Sequence, residues 1–136
     1  MNREQLVEEA KSMLSQAYVP YSTFPVGAAL LTTDGKVYKG FNIENAAYPV
    51  TCCAERVAIF KAVSEGERQF KSMAVIANTT RPVPPCGSCR QVMSEFFDPE
   101  MPVYISNKDQ EIKEVQVKDL LPFSFNQDDL HAGQEK

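Results

Sequence analysis

Between Met73 and Ser106 the chain reads as an apolar run, a helix and a second apolar run, and that order leaves few folds open. Met73 to Ala77 has strand length. Cys86 to Phe97 reads as a helix closed off by Pro99 and Pro102, and Val103 to Ser106 is again strand-like. Two strands joined through a helix pair in parallel, because the helix carries the chain back to the starting end of the sheet. Upstream, Val26 to Thr32 and Lys36 to Asn42 flank Asp34-Gly35. Asp-Gly between two apolar runs signals a hairpin, whose tight turn asks for positive φ at both central residues. A parallel pair and an antiparallel pair in one chain make a mixed sheet.

Helices supply the remaining layers. Leu6, Ala10, Met13, Leu14 and Ala17 recur at helical spacing across Asn2 to Ala17, and Pro20 stops that pattern. A second helix starts near Thr51 to Ala54 and runs to about Glu65, where Gly66 supplies the left-handed residue after the end. Ile112 to Val115 reads as another strand, beyond the turn Asn107-Lys108-Asp109, and Leu120 to Phe125 as a brief turn or helix. The expected fold is α/β, with three layers (α/β/α) and a mixed, mostly five-stranded sheet. All 136 residues are expected to form one domain, 1–136, with 126–136 a loose tail. An apolar fraction of 43% is enough to bury a core without disulfides.

Charge and termini restrict partners. The net charge of −4 argues against a nucleic-acid backbone as the main partner, and does not oppose a small neutral substrate. The start, MNREQLVEEA, is charged and does not read as a signal peptide; no apolar stretch has the length of a membrane span. The chain is therefore expected in the cytoplasm, with no membrane partner.

In a reducing compartment, clustered cysteines point to metal binding or catalysis rather than disulfides. The four are Cys52, Cys53, Cys86 and Cys89, and the single histidine, His131, lies in a polar tail and reads as a surface residue. A metal site here is then made of thiolates. Cys86 and Cys89 are three apart at the start of one helix, and Cys53 lies at the start of another. Helix N-termini stabilise thiolate, so three sulfurs from two helix starts suit one tetrahedral zinc with its fourth position open. Such a position binds water and lowers its pKa. Three thiolates on a divalent ion leave net negative charge, which Arg56 is expected to offset, with Arg90 the second candidate. Glu55, two residues after Cys53, is placed to take the proton of that water and pass it to a leaving nitrogen. Other readings of a C-x-x-C pair are a redox dithiol or half of a structural zinc knuckle. A closed four-thiolate site would need Cys52. Adjacent side chains diverge, which makes Cys52 a bystander, a small buried thiol.

Asn42 and Glu44 follow a strand, so in an extended segment both side chains point to one side and Ile43 to the other. Together they can accept from and donate to a hydroxyl. Phe24, between Pro20 and Pro25, can offer a wall to a flat ring.

A ligand two residues before a glutamate, followed by P-C-x-x-C, is the known signature of zinc deaminases. The segments VPYSTFPVGAAL, GFNIENAAYPVTCCAER, PPCGSCRQVMSEF and LLPFSF make nearly the whole chain similar to the short, homotetrameric cytidine deaminases. That resemblance implies hydrolytic deamination of free cytidine and deoxycytidine to uridine and deoxyuridine plus ammonia, in pyrimidine salvage. It implies one zinc per subunit on Cys53, Cys86 and Cys89, attack at C4 by zinc-bound hydroxide, and Glu55 as proton shuttle. It also implies that Asn42 and Glu44 hold the ribose 3′-hydroxyl, that Phe24 packs against the base, and that backbone groups of Ala54 face its reacting end. Phe125 matches an aromatic that reaches a neighbouring subunit's site, with Phe123 also available, and Tyr48 matches a subunit contact. A homotetramer with shared active sites follows from the family alone. The competing functions are a deaminase of another aminated nucleoside, a deaminase of a base within nucleic acid, and a non-catalytic zinc-stabilised binding module.

Overall fold

The computed structural model describes residues 1–134. Helix α1 covers Arg3–Lys11 and opens on a capping box: the Asn2 side chain accepts from the Gln5 amide at 2.8 Å, and Gln5 Oε1 accepts from the Asn2 amide at 2.9 Å. It stops short of the expected Ala17. The Ser12 hydroxyl donates back to the Glu9 carbonyl, and the chain tightens to i−3 bonds (Met13 to Ala10, Gln16 to Met13) before a short 3-10 turn at Leu14–Gln16.

The sheet contains β1 (Val26–Thr32), β2 (Val37–Phe41), β3 (Phe70–Ala77), β4 (Pro102–Ser106) and β5 (Ile112–Gln116), in the order β2-β1-β3-β4-β5. Strands β3 and β4 pair in parallel through the crossover; the other neighbours are antiparallel. Period-two alternation assigns each face a helix layer. Ala28, Leu30, Met73, Val75, Val103 and Ile105 pack under α2 (Ala54–Ser64) and α3 (Gly87–Phe96). Ala29, Leu31, Ala74 and Ile76 pack under Leu6, Val7 and Ala10 of α1. The result is the expected three-layer α/β/α fold with a mixed five-stranded sheet. Among the described residues no helix is long and apolar enough to cross a membrane.

Two glycines permit close packing of helix on sheet. A Cβ on Gly40 of β2 would lie 2.5 Å from the Ala54 carbonyl oxygen and 2.7 Å from the Ala58 nitrogen, so α2 rests directly on β2. A Cβ on Gly27 would lie 2.1 Å from the Ala10 carbonyl oxygen, which puts α1 equally close on the other face.

The β1–β2 turn differs from the expected form. Only Gly35 has positive φ (90°); Asp34 instead accepts from the Thr32 hydroxyl. The Gly35 amide bonds the Thr32 carbonyl at 3.1 Å, making a turn that ends in a left-handed glycine rather than one with two such residues. Near the C-terminus, helix α4 covers Val117–Leu120, just ahead of the place expected. Helix α5 covers Gln127–Gln134, where a loose tail was expected. Asn126 and Asp129 explain it: each side chain accepts the other's backbone amide, at 3.2 and 3.0 Å. Residues 135–136 of that expected tail lie outside the described residues.

Candidate active site

Cys53 is the residue before α2, Cys86 the residue before α3, and Cys89 lies in the first turn of α3. Both helices start over the same end of the sheet, which brings the three sulfurs together. Cys53 Sγ is 3.7 Å from Cys86 Sγ, Cys86 Sγ is 3.5 Å from Cys89 Sγ, and all three lie within 4.8 Å of one another. Zinc–thiolate bonds of about 2.3 Å give a tetrahedron with sulfur–sulfur edges of about 3.8 Å, so the cluster fits one zinc. No fourth cysteine, histidine or carboxylate belongs to it among the described residues. Cys52 is half-buried rather than buried, because it lies in a surface segment held apart by a backbone bridge to Ile43, with both amide bonds at 2.9 Å, and His131 lies exposed on α5. Three candidate ligands match the number that catalytic zinc sites use, where structural sites use four.

The charges around the sulfurs are unequal. The Arg56 guanidinium contacts Cys53 Sγ and the Thr51 carbonyl, each at 3.4 Å, while its Nε is buried without a partner. Arg90 is spent elsewhere: Nε donates to the Pro85 carbonyl at 2.7 Å and Nη1 to the Leu120 carbonyl at 2.9 Å. Of the two arginines, Arg56 is the one beside a thiolate. Hydrogen bonds from Cys89, then Arg56, bring the Cys53 thiol down to about 5, and the same pairing with burial pushes Cys89 up.

Glu55 points inward from the first turn of α2 and is 4% exposed. Burial pushes its carboxyl up to about 7, and the negative Cys53 adds to that against the pull of Arg56. A carboxyl poised near neutrality can both accept and return a proton.

A cavity of about 410 Å³, within the range of small-molecule sites, opens beside the cluster. Phe24, Asn42, Glu44, Cys53, Ala54, Glu55 and Cys86 line it together. Asn42 and Glu44 face it while Ile43 does not, as the extended segment requires. Glu44 Oε1 accepts the amides of Tyr21 and Ser22, both at 3.0 Å, and its other oxygen accepts the Ser22 hydroxyl. That hydroxyl first, then the amides, holds the Glu44 carboxyl below the usual range. Cys89 lies behind the wall, fully buried. Phe125 does not line the cavity of its own chain: it is 60% exposed beyond α3, where Gln91 donates to its carbonyl at 3.1 Å, and Phe123 is exposed as well.

Several lining residues carry no sequence signal. Val75 and Ala77 read as ordinary strand residues, and only the end of β3 opening on the cavity turns them into a wall. Val83 and Pro84 belong to a loop recognisable from its prolines, but its path is set by tertiary packing. Ser22 and Thr51 are small hydroxyls in irregular segments; the clustering of Tyr21, Ser22 and Thr23 between prolines was the available hint.

The family model for the cytidine and deoxycytidylate deaminase zinc-binding region matches residues 1–105. The chain is 55% identical over 136 residues, the full length of both, to a cytidine deaminase of Sporosarcina psychrophila. It is 53% identical over 131 residues to one of Halalkalibacterium halodurans, covering 96% of this chain and 99% of that one. Its fold matches the crystal structure of a cytidine deaminase from Burkholderia pseudomallei with a TM-score of 0.90 and 46% identity, over 92% of this chain and 100% of the other. With a thiol cluster fit for zinc, a buried glutamate beside it and a nucleoside-sized cavity in front, the chain belongs to the zinc-dependent cytidine and deoxycytidylate deaminase family.

Proposed function

We propose that this chain hydrolyses the 4-amino group of free cytidine and deoxycytidine, giving uridine and deoxyuridine plus ammonia. The observation that carries this reading is that buried Glu55, with Cys53 and Cys86 of the thiol cluster, lines a cavity that also presents Phe24, Asn42 and Glu44, Cys89 standing just behind. Cys53, Cys86 and Cys89 would hold the zinc, which when bound would supply the Lewis acidity that makes water acidic near neutral pH. Glu55 takes a proton from the attacking water and delivers it to ring N3 as the oxygen joins C4. It then takes the remaining proton of the C4 hydroxyl and gives it to the 4-amino nitrogen, so that the C4–N bond breaks, ammonia departs and C4 is left as a carbonyl. Arg56 offsets the negative charge of the thiolates. Phe24 and the apolar side chains of Val75, Ala77 and Val83 suit the flat base, and the main chain of Ala54 faces its reacting end. Glu44 and Asn42 take the 3′-hydroxyl, which donates to the carboxylate and accepts from the amide. A 3′-hydroxyl esterified in a polymer has no proton to give, which favours a free nucleoside over a base within nucleic acid.

The chain acts in the cytoplasm as a homotetramer in this reading, and Phe125 of one subunit completes the site of another. Its exposure and its absence from the wall of its own cavity support that role. Ultraviolet absorbance of free cytidine tests the chemistry, on wild type and Glu55→Gln with zinc measured in both. Conversion by wild type, reduced at least about a thousandfold in the variant with zinc retained, is the expected result. Zinc-loaded wild type that turns over neither nucleoside refutes it.

A further inference from the structure

Asn42 and Glu44 contact more than the cavity. The loop that carries Phe24 hangs on them. The Tyr21 and Ser22 amides donate to Glu44 at 3.0 Å, the Asn42 side chain donates to the Phe24 carbonyl at 2.8 Å, and it accepts the Val26 amide at 2.9 Å. Between these anchors sits Ser22. Its hydroxyl donates to Glu44 and accepts the Phe24 amide at 3.0 Å. Both directions are forced: an ionised carboxylate only accepts, and an amide N–H only donates. The next residue, Thr23, has φ of 56°, a left-handed conformation that a β-branched residue rarely adopts. It persists because bonds on either side fix it: the Thr23 amide to the Val19 carbonyl at 3.0 Å, and the Thr23 hydroxyl to the Ser22 carbonyl at 2.6 Å.

We propose that Ser22 is a positioning residue for the nucleoside, its hydroxyl joining the Glu44 carboxylate to the main chain that presents Phe24, so that the sugar and base contacts are set together. This rests on the assignment of Glu44 to the sugar and Phe24 to the base. Three of the roughly four acceptor sites of the Glu44 carboxylate are used by the loop, which leaves one for a single sugar hydroxyl. Without the Ser22 hydroxyl, that oxygen gains a second free site and the Phe24 amide loses its partner. The Ser22 hydroxyl bonds Glu44 and the Phe24 amide, and neither Glu55 nor the thiol cluster, so the consequence is in binding.

Steady-state kinetics on wild type, Ser22→Ala, Ser22→Thr, Phe24→Ala and the Ser22→Ala/Phe24→Ala double variant, with cytidine and with melting temperature and zinc content recorded, tests this. The expected result is a KM about tenfold higher for Ser22→Ala with kcat within about twofold. Ser22→Thr, which keeps a hydroxyl, restores KM. In the Phe24→Ala background the Ser22→Ala penalty shrinks below about threefold, because the ring it positions is gone. An unchanged KM in Ser22→Ala, a loss confined to kcat, or a full tenfold penalty on top of Phe24→Ala overturns the assignment while leaving the deaminase reading intact. Absence of turnover in wild type overturns both, and is seen in a separate arm of the experiment.

Discussion

At the scale of single residues, the thiol cluster and the carboxylate beside it were legible because their spacing encodes a helix start. Cys53-Ala54-Glu55 puts the thiol before α2 and the carboxylate in its first turn, and Cys86 and Cys89 do the same for α3. Arg56 was expected beside the thiolates ahead of Arg90, and packing agrees: the Arg56 guanidinium meets sulfur while that of Arg90 bonds main-chain carbonyls. Arg56→Gln is expected to weaken zinc binding about tenfold, measured by competition with a chelator. Glu55 gives a pH prediction for the zinc-stripped protein. Its folded pKa is raised from 4.5 to about 7, so its contribution to stability is complete below about pH 4.5 and is lost as pH climbs through 7. Cys53, depressed to about 5, changes stability in the opposite sense, and it is common to wild type and Glu55→Gln. The melting temperature of stripped wild type is therefore expected to fall relative to stripped Glu55→Gln between about pH 5 and about pH 7.5. A constant difference would mean that Glu55 ionises as readily folded as unfolded.

At the scale of elements, apolar runs located every strand to within a few residues: β2 alternates, β1 and β3 are buried on both faces along most of their length, and β5, half-buried or exposed throughout, was marked by its branched residues Ile112 and Val115. It was weakest where side-chain hydrogen bonds decide. Ser12 ends α1 early, Asp34 takes the Thr32 hydroxyl rather than a left-handed φ, and the Asn126/Asp129 pair starts α5 in a polar stretch. The close seat of α2 on β2 could not be seen either, since Gly40 in a strand has many uses. It has a measurable effect. Gly40→Ala forces a Cβ against the α2 backbone, and is expected to cost about 1–3 kcal/mol in unfolding free energy. Because Cys53 and Glu55 stand at the end of that helix, zinc affinity and kcat fall as well. Gly27→Ala presses on α1 across the sheet, and is expected to lower the melting temperature with zinc affinity kept. Equal loss of zinc in both variants would show that the site senses the sheet as a whole rather than the seat of α2.

At the scale of the molecule, the mixed sheet followed from the strand–helix–strand order, whereas the neighbour order β2-β1-β3-β4-β5 depends on long-range pairing that no local pattern carries. Large apolar side chains remain uncovered on the chain's surface, among them Tyr48 at 70% exposure and Val50 at 65%, both in a second 3-10 turn, Tyr48–Val50, whose Tyr48 borders the same Ser22, Glu44 and Thr51 that line the cavity. The proposed tetramer covers such surface, and its shared sites make a mixing experiment decisive. Glu55→Gln and Phe125→Ala, each weak alone, are expected to regain activity when dissociated and reassembled together, because some sites then draw a sound Glu55 and a sound Phe125 from different chains. No recovery would place Phe125 outside the neighbouring site. The ligand cluster also has a mechanical side. Cys53 and Cys86 lie 33 residues apart, and β3, at the centre of the sheet, runs between them. A metal gripping both ties a loop around the middle of the fold, as a disulfide would in a secreted domain. Each tenfold rise in free zinc above its dissociation constant adds about 1.4 kcal/mol to the folded state. The abundance of this chain in a cell should then track zinc supply, with starved molecules opening to proteolysis before any substrate is scarce.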